Sequence, residues 1–159
     1  MRVYADSSFL LRLVTGESGA EQGVAEYRRL GRPPLPYLLL HTLEVENSIR
    51  QRAFHERRVL PSGQRARIHR ERDAALSRLG GFLKRGAFQA VALDMDSALD
   101  RARRLSTSHT DRLGARAIDL LHVACALLLE TGVFLTFDQR QSDLAKAEGM
   151  QVFSQQTAA

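Results

Sequence analysis

The sequence is poor in the residues that cross-link a small protein. It has a single cysteine, Cys125, among its 159 residues. A lone cysteine excludes a disulfide framework within the chain. Cys125 lies inside an apolar helical stretch, which predicts a small buried side chain rather than a reactive thiol.

The sequence also lacks a hydrophobic run long enough to cross a membrane. The most apolar stretch, residues 117–129, is interrupted by Asp119 and His122 and falls short of the roughly 20 residues that a span requires. Asp6 interrupts the first apolar run, so the N-terminus does not resemble a signal peptide. We expect a cytoplasmic protein without membrane contact.

Lysine is scarce, and the positive charge comes almost entirely from arginine. Only Lys84 and Lys146 are lysines among the 23 basic residues, and the net charge is +5. A basic protein attracts polyanions, and the arginine fork pairs with phosphate through two hydrogen bonds. The pattern favours a nucleic-acid partner, although a genomic preference for arginine codons explains it equally well.

Hydrophobic periodicity predicts strands and helices in alternation. We expect a single domain over residues 1–159 with a three-layer α/β/α fold and a mostly parallel central sheet, because strands separated by helices need crossover connections. A long arginine-rich helix at 64–85 lies within it. The predicted strands are 2–5, 37–40, 88–93, 133–137 and 151–153, and the other helices are 7–15, 19–30, 41–58, 97–106, 115–130 and 142–148, with 109–114 as a polar connection.

Four acidic residues stand where a solvated acid is not expected. Asp6 and Asp138 each follow a predicted strand directly, Glu44 lies in the first turn of the helix after the second strand, and Asp119 lies early in the most apolar helix. The carboxyl ends of parallel strands share one edge of the sheet, and ligands bind there. We therefore expect the four carboxylates to converge.

Taken singly, each acid has a structural explanation as a turn cap or as a favourable charge at a helix N-terminus. Convergence of all four is harder to explain in this way. Two carboxylates about 4 Å apart repel by about 4 kcal/mol at an effective dielectric constant of about 20. Such a cluster needs a cation, and oxygen ligands select Mg²⁺ or Mn²⁺.

Three residues close in sequence to these acids, Glu46, His122 and Arg116, each have more than one possible role. Glu46 competes with Glu44, but the two point to different sides of the helix and Glu46 has Arg50 four residues on as an ion-pair partner. We prefer Glu44. His122 is interpreted as a packing histidine rather than a base. Arg116 either balances Asp119 or contacts phosphate.

With these residues identified, the chain resembles the PIN-domain nucleases and, within them, the VapC toxins of toxin and antitoxin pairs. The resemblance extends over nearly the whole chain. The family's metal-binding carboxylates map onto Asp6, Glu44, Asp119 and Asp138. The matching segments are Val3-Tyr4-Ala5-Asp6-Ser7-Ser8, His41-Thr42-Leu43-Glu44-Val45-Glu46-Asn47, Arg116-Ala117-Ile118-Asp119-Leu120-Leu121-His122-Val123-Ala124 and Phe134-Leu135-Thr136-Phe137-Asp138-Gln139-Arg140.

The resemblance implies a Mg²⁺-dependent endoribonuclease that cleaves structured RNA such as tRNA or rRNA, leaving a 5′ phosphate and a 3′ hydroxyl. It also implies a small inhibiting antitoxin and a homodimer. Candidate substrate-binding residues are Ser7, Arg116, Thr136 and Arg140. The alternatives are a PIN module that binds RNA without cleaving it and a Mg²⁺-binding phospho-acceptor signalling domain. The helix at 64–85 is longer than a minimal PIN fold requires.

Overall fold

Strands and helices alternate along the computed structural model, which describes residues 2–17 and 20–154. A 3₁₀ turn, Ser62–Gln64, joins the two longest helices. The elements are β1 (Val3–Ala5), α1 (Ser7–Thr15), α2 (Glu21–Arg29), β2 (Leu35–Tyr37), α3 (Leu39–Val59), α4 (Arg65–Lys84), β3 (Phe88–Ala90), α5 (Met95–Leu113), α6 (Ala117–Leu128), β4 (Val133–Thr136), α7 (Gln139–Ala147) and β5 (Gln151–Ser154).

The strand pairs of the described residues are all parallel. β4 pairs with β1 on one side and with β5 on the other, and β2 pairs with β3. Within the described residues these pairs form a three-stranded sheet, β1-β4-β5, and a two-stranded sheet, β2-β3. β2 lies beside β1 without strand pairing, which gives the spatial order β3, β2, β1, β4, β5. The order reverses between β1 and β4, and a crevice for a ligand forms at such a point outside the carboxyl ends of the strands.

Helices cover both faces of the sheet. Successive strand residues point to opposite faces, so each face contributes its own apolar side chains to the core. Tyr4 and Phe134 pack against α5, α6 and α7. Val3, Ala5 and Leu135 pack against α1, α3 and α4 on the other face. The predicted three-layer α/β/α fold with a parallel sheet is confirmed. Cys125 is buried as predicted, and burial raises the pKa of its thiol to about 11.

The second strand lies earlier than predicted. The prediction placed it at 37–40, whereas β2 spans Leu35–Tyr37 and includes Pro36. Proline normally argues against a strand because it has no N–H to donate. Here the hydrogen bonds to the β3 side are made by Leu35 N–H and by the carbonyl oxygen of Tyr37, so Pro36 is tolerated between them.

The helix predicted at 97–106 is longer than expected, and the predicted polar connection at 109–114 is wrong. α5 continues to Leu113 and ends at Gly114, whose φ of 63° is the left-handed conformation that glycine adopts without strain. Asp111 and Arg112 are exposed on this helix, whereas His109 is largely buried and its Nε2 lies 2.7 Å from Oε1 of Glu148 at the end of α7. The stop signal was therefore the glycine rather than the polar run.

The other boundaries differ by a few residues. α7 begins at Gln139 rather than at 142, because the Asp138 side chain caps it. The long helix predicted at 64–85 is confirmed as α4. The predicted start of the second helix at Gly19 lies outside the described residues. Within the described part of the chain, no helix has the length and apolar character needed to cross a membrane.

Two glycines inside helices should respond oppositely to substitution by alanine. A Cβ on Gly23 would lie 2.6 Å from Phe137 Cζ and 3.0 Å from Phe9 Cε2, whereas a Cβ on Gly80 would meet nothing within 4 Å. Gly80→Ala should raise the free energy of unfolding by about 1 kcal/mol. Gly23→Ala should lower it by about 1 kcal/mol, because overpacking outweighs the gain in helix propensity.

Urea unfolding of the two variants beside the wild-type protein measures both changes. Each variant is the control for the other, since the chemical change is the same. Equal stabilisation by both substitutions would contradict the packing of α2 against Phe9 and Phe137 described here.

Candidate active site

A cleft of about 550 Å³ opens at the carboxyl ends of β1 and β4. Glu44, Asp119 and Asp138 are in its walls, and Asp6 is buried beside it. The structure thus brings acids from four distant segments to the sheet edge where the sequence predicted them. The lining residues are Ser7, Ser8, Leu11, Glu44, Ser48, Arg116, Ala117, Ile118, Asp119, His122, Asp138 and Gln141.

Asp6 connects the end of β1 to the start of α1. Its Oδ1 accepts the N–H of Phe9 at 2.9 Å, which caps the helix, and the Ser8 hydroxyl lies 2.7 Å and 2.9 Å from its two oxygens. Its Oδ2 accepts the Thr136 hydroxyl at 2.7 Å from the end of β4. The carboxyl group is fully buried and surrounded by donors.

The charge of Asp6 costs free energy despite these hydrogen bonds. Burial raises the pKa of Asp6 above its ordinary value, because a charged group loses its hydration in the interior. The nearby His122 and the donors Thr136, Phe9 and Ser8 oppose this effect without cancelling it. A bound cation beside this carboxylate would favour its charged form.

Thr136 holds the two strand-end acids in register. Its hydroxyl donates to Asp6 and accepts the N–H of Asp138 at 2.8 Å. The Ser8 hydroxyl likewise accepts the N–H of Phe137 at 3.0 Å. Thr136 is fully buried and links Asp6 to Asp138 inside the protein, and a contact between Thr136 and substrate stays a prediction.

Asp138 lines the cleft and begins α7. Its Oδ1 accepts the N–H groups of Arg140 at 2.8 Å and of Gln141 at 3.1 Å. The capping explanation considered from the sequence therefore applies to Asp138, and to Asp6 as well. Capping and facing the cleft are compatible, because a carboxylate has more lone pairs than these contacts use.

Glu44 is held by two donors from other elements. Its Oε2 accepts the Ser7 hydroxyl at 2.8 Å and lies 2.5 Å from His122 Nε2. Burial pushes the pKa of Glu44 upward, but the hydrogen bond and charge of His122 and the Ser7 hydroxyl outweigh it, so the pKa is lowered. Glu44 is therefore ionised at neutral pH.

The contact between His122 and Glu44 is what the sequence reasoning missed. His122 is fully buried, as expected of a packing histidine, but it also lines the cleft. Its Nδ1 lies 2.8 Å from the Tyr4 hydroxyl. Nε2 carries the hydrogen that bonds Glu44, and Nδ1 is the partner of the Tyr4 hydroxyl. The available signal was spacing, since His122 follows Asp119 by three residues and shares its helix face.

A second histidine lies behind the first. The ring centroids of His41 and His122 are 5.2 Å apart. The Leu38 N–H donates to His41 Nδ1 at 3.0 Å. Burial, together with the neighbouring His122, lowers the pKa of His41 to about 3. His41 is thus a neutral packing group that supports the wall on which His122 and Glu44 meet.

Asp119 reaches the cleft from the first turn of α6. Its Oδ2 accepts the Arg116 N–H at 2.8 Å, and its Oδ1 lies 3.3 Å from Gln141 Nε2. It is buried to 5% exposure although it is an acid. Both contacts come from neutral donors, so no basic side chain neutralises it through these bonds.

The remaining predicted residues divide between the cleft and the surface. Ser7 and the exposed Arg116 line the cleft. Arg140 is exposed and contributes its backbone to the cap of α7, but its side chain is not in the cleft lining. Glu46 pairs with Arg50 at 2.7 Å, as predicted, on the outer side of α3. Glu44 rather than Glu46 therefore faces the cleft.

The donor chemistry of the cleft fits a hard divalent cation. Carboxylate oxygens are the groups that Mg²⁺ and Mn²⁺ prefer, and the cleft offers no thiolate. As the side chains stand, no three acidic, histidine or cysteine residues within the described ranges are close enough to hold a metal ion.

Comparison with known proteins agrees with the fold and the cleft. The family model described as PIN domain matches residues 3–147, nearly the whole chain. A search of curated proteins found no match. PIN domains are in general nucleases that use divalent metal, so the match supports nuclease chemistry for this cleft.

Replacing Asp6 by asparagine should stabilise the metal-free protein at neutral pH. The folded-state pKa of Asp6 is raised, so its contribution to stability is present in full below the ordinary aspartate pKa and is lost as the pH rises through the raised value. Asparagine keeps an acceptor for Phe9 and avoids the buried charge. The gain should therefore shrink toward acid pH.

Thermal unfolding of both proteins in EDTA across the acid and neutral range measures this difference. Asp143→Asn, at a partly buried acid outside the cleft lining, is the control and should show no such gain. A loss of stability in Asp6→Asn that is constant with pH would contradict a charge cost at Asp6.

Proposed function

Since the chain belongs to the PIN domain family, we propose that it is a metal-dependent endoribonuclease and the toxin of a toxin and antitoxin pair. The proposed reaction is hydrolysis of RNA phosphodiester bonds, leaving a 5′ phosphate and a 3′ hydroxyl. Structured RNA such as tRNA or rRNA is the proposed substrate. The observation that carries the proposal is the shared cleft of Glu44, Asp119 and Asp138 with Asp6 buried beside it.

The four carboxylates are the proposed ligands of Mg²⁺ or Mn²⁺. Glu44 and Asp138 are partly exposed in the cleft, and Asp119 and Asp6 are buried around it. When bound, the ion lowers the pKa of a water molecule and offsets charge on the phosphate. A cation also offsets the repulsion among several acids in one cleft, because each carboxylate is attracted to it.

The protein itself supplies orientation. Ser7 and His122 fix one oxygen of Glu44, and the Arg116 N–H and Gln141 hold the two oxygens of Asp119. These contacts restrict how far each carboxylate can turn. Arg116, at the exposed edge of the cleft, is the proposed contact for a substrate phosphate, because its guanidinium offers two parallel donors.

A phospho-acceptor role fits these residues less well. Such a domain needs an exposed aspartate that a phosphoryl group can reach. Asp6, the acid at the end of the first strand, is fully buried and accepts hydrogen bonds from Ser8, Phe9 and Thr136. Burial of this carboxyl supports a structural and metal-directed role instead.

A small antitoxin is the proposed inhibitor, and the cleft has the two properties that such an inhibitor needs. Its walls combine acids with the apolar Leu11, Ala117 and Ile118, of which Ile118 is 41% exposed. A helix with a cationic residue beside apolar ones would match them. Homodimerisation belongs to the same proposal, and the exposed Leu39 and Leu43, one turn apart on α3, give it an apolar surface.

Cleavage of RNA should depend on divalent metal and on the acids of the cleft. Mg²⁺ or Mn²⁺ should support cleavage and excess EDTA should abolish it. Glu44→Gln and Asp119→Asn should each lower kcat/KM by roughly 100-fold or more, because metal affinity and water activation both depend on these groups. The measurement is cleavage of total cellular RNA, with the ends of the products identified.

Glu46→Gln is the matched control for Glu44→Gln, since both remove one charge from the start of α3. It should retain activity within about twofold, as expected for an exposed ion pair. Cleavage that persists in EDTA would contradict the metal mechanism. An inactive Glu46→Gln beside an active Glu44→Gln would reverse the assignment of these two residues.

Inhibitor binding should weaken when an acid of the cleft is neutralised. Asp138→Asn should reduce affinity for the co-expressed antitoxin by about 2–5 kcal/mol, because a buried cation loses its partner. Asp100→Asn is the control, since Asp100 pairs with Arg103 and Arg104 on α5. Calorimetry with the product of the neighbouring small reading frame measures both. Equal affinity of Asp138→Asn and wild type would show that the inhibitor does not place a cation in the cleft.

A further inference from the structure

The tip of the α3 and α4 hairpin carries a basic patch outside the cleft. Five residues surround a shallow cavity of about 370 Å³ there: Phe54, Arg57, Arg58, Arg65 and His69. We call them the hairpin patch. The lining holds three arginines and no acid among the described residues.

Among the described residues, the arginines of the hairpin patch lack acidic partners, unlike several other arginines of the hairpin. Elsewhere on the hairpin, Arg50 pairs with Glu46, Arg52 with Glu17 and Glu56, and Arg67 with Glu71. Within the described ranges no carboxylate lies within ion-pair distance of Arg57, Arg58 or Arg65. Their charge is therefore available to an anion from outside the protein.

An aromatic ring is exposed within this charge. Phe54 is 45% exposed, so part of its ring is open to solvent. The Arg58 guanidinium lies over its ring at 5.5 Å, and the His55 ring meets it edge to face at 5.4 Å. A flat apolar face beside guanidinium groups is the surface on which an unpaired base stacks.

The hairpin patch and the cleft lie along the same helix. Glu44, Gln51 and Arg58 are seven residues apart, so their side chains point within about 40° of one another on a straight helix. Glu44 is partly exposed, and Gln51 and Arg58 are exposed. Fourteen residues of helix separate the two ends by about 20 Å. A stacked single strand of about six nucleotides at roughly 3.4 Å each spans that distance, and a more extended strand spans it with fewer nucleotides.

We propose that the hairpin patch is a second binding site for a single-stranded segment of the RNA substrate, which it holds at a fixed distance from the cleft. This inference rests on the proposed function, because it assigns the patch to the same substrate. Arg57, Arg58 and Arg65 contact phosphates, and Phe54 stacks on a base. RNA fits better than an acidic peptide, since a peptide carboxylate would use the arginines but leave the exposed ring without a planar partner.

Binding measured without cleavage tests the inference. Fluorescence anisotropy in excess EDTA follows a labelled, long single-stranded RNA of about 20 nucleotides, which reaches from the hairpin patch to the cleft. The Arg57→Ala/Arg58→Ala variant should bind the long RNA roughly tenfold more weakly. The slope of log K against log salt should fall by about 1 to 2.

Two further variants separate charge from stacking. Arg103→Ala/Arg104→Ala removes the same charge from exposed arginines of α5, which pair with Asp100 on the other face of the sheet, and should bind as wild type does. Phe54→Ala should weaken binding of the long RNA by about tenfold with an unchanged salt slope, since stacking releases no counterions. Thermal unfolding should be unchanged in all three because the replaced side chains are exposed.

Wild-type affinity of the Arg57→Ala/Arg58→Ala and Phe54→Ala variants for the long RNA would overturn the inference. Equal weakening by the α5 control would also overturn it, because net charge alone would then explain binding. If polyglutamate binds through Arg57 and Arg58 while RNA does not, the partner is an acidic protein and the inference is wrong. Because no cleavage is measured, loss of the nuclease proposal would not mimic any of these results.

Discussion

The hydrogen bonds around the buried Asp6 carboxyl hold the candidate site together. They join the end of β1 to the start of α1 through Phe9 and Ser8, and to the end of β4 through Thr136. Thr136 in turn accepts the N–H of Asp138, so the two strand-end acids are fixed relative to each other. Burying the charge is unfavourable, as the raised pKa of Asp6 indicates. The buried charge of Asp6 therefore destabilises the metal-free protein, and a cation bound beside Asp6 would reduce this cost.

Glu44, on the opposite wall of the cleft, is held in a different way from Asp6. Glu44 lies on α3 and is oriented by His122 from α6 and Ser7 from α1, so three elements from both sides of the sheet meet at one oxygen. The pKa of Glu44 is lowered while that of Asp6 is raised. Glu44 is therefore already ionised before a cation binds, whereas a bound cation would stabilise the charged form of Asp6.

The sequence predicted the position of the acids better than their contacts. Asp6 and Asp138 could be placed because strand ends in a parallel sheet share an edge, and Glu44 was preferred over Glu46 because Arg50 offered a local partner. The His122 contact with Glu44 and the link through Thr136 join residues 78 and 130 positions apart. The spacing of Asp119 and His122 could place His122 beside the cleft, but no local pattern identifies the distant partners of His122 and Thr136. The error at α5 was of another kind, since polar residues mark a solvated helix face as readily as a loop.

The central claim is that the acids of the cleft together bind a divalent cation, and Mn²⁺ titration followed by electron paramagnetic resonance tests it most directly. The wild-type protein should bind Mn²⁺ with an affinity that Mg²⁺ competes for. Asp119→Asn should weaken binding by about 10–100-fold, while Glu46→Gln should leave it unchanged. Absence of Mn²⁺ binding by the wild-type protein, or equal binding by wild type and Asp119→Asn, would contradict the account.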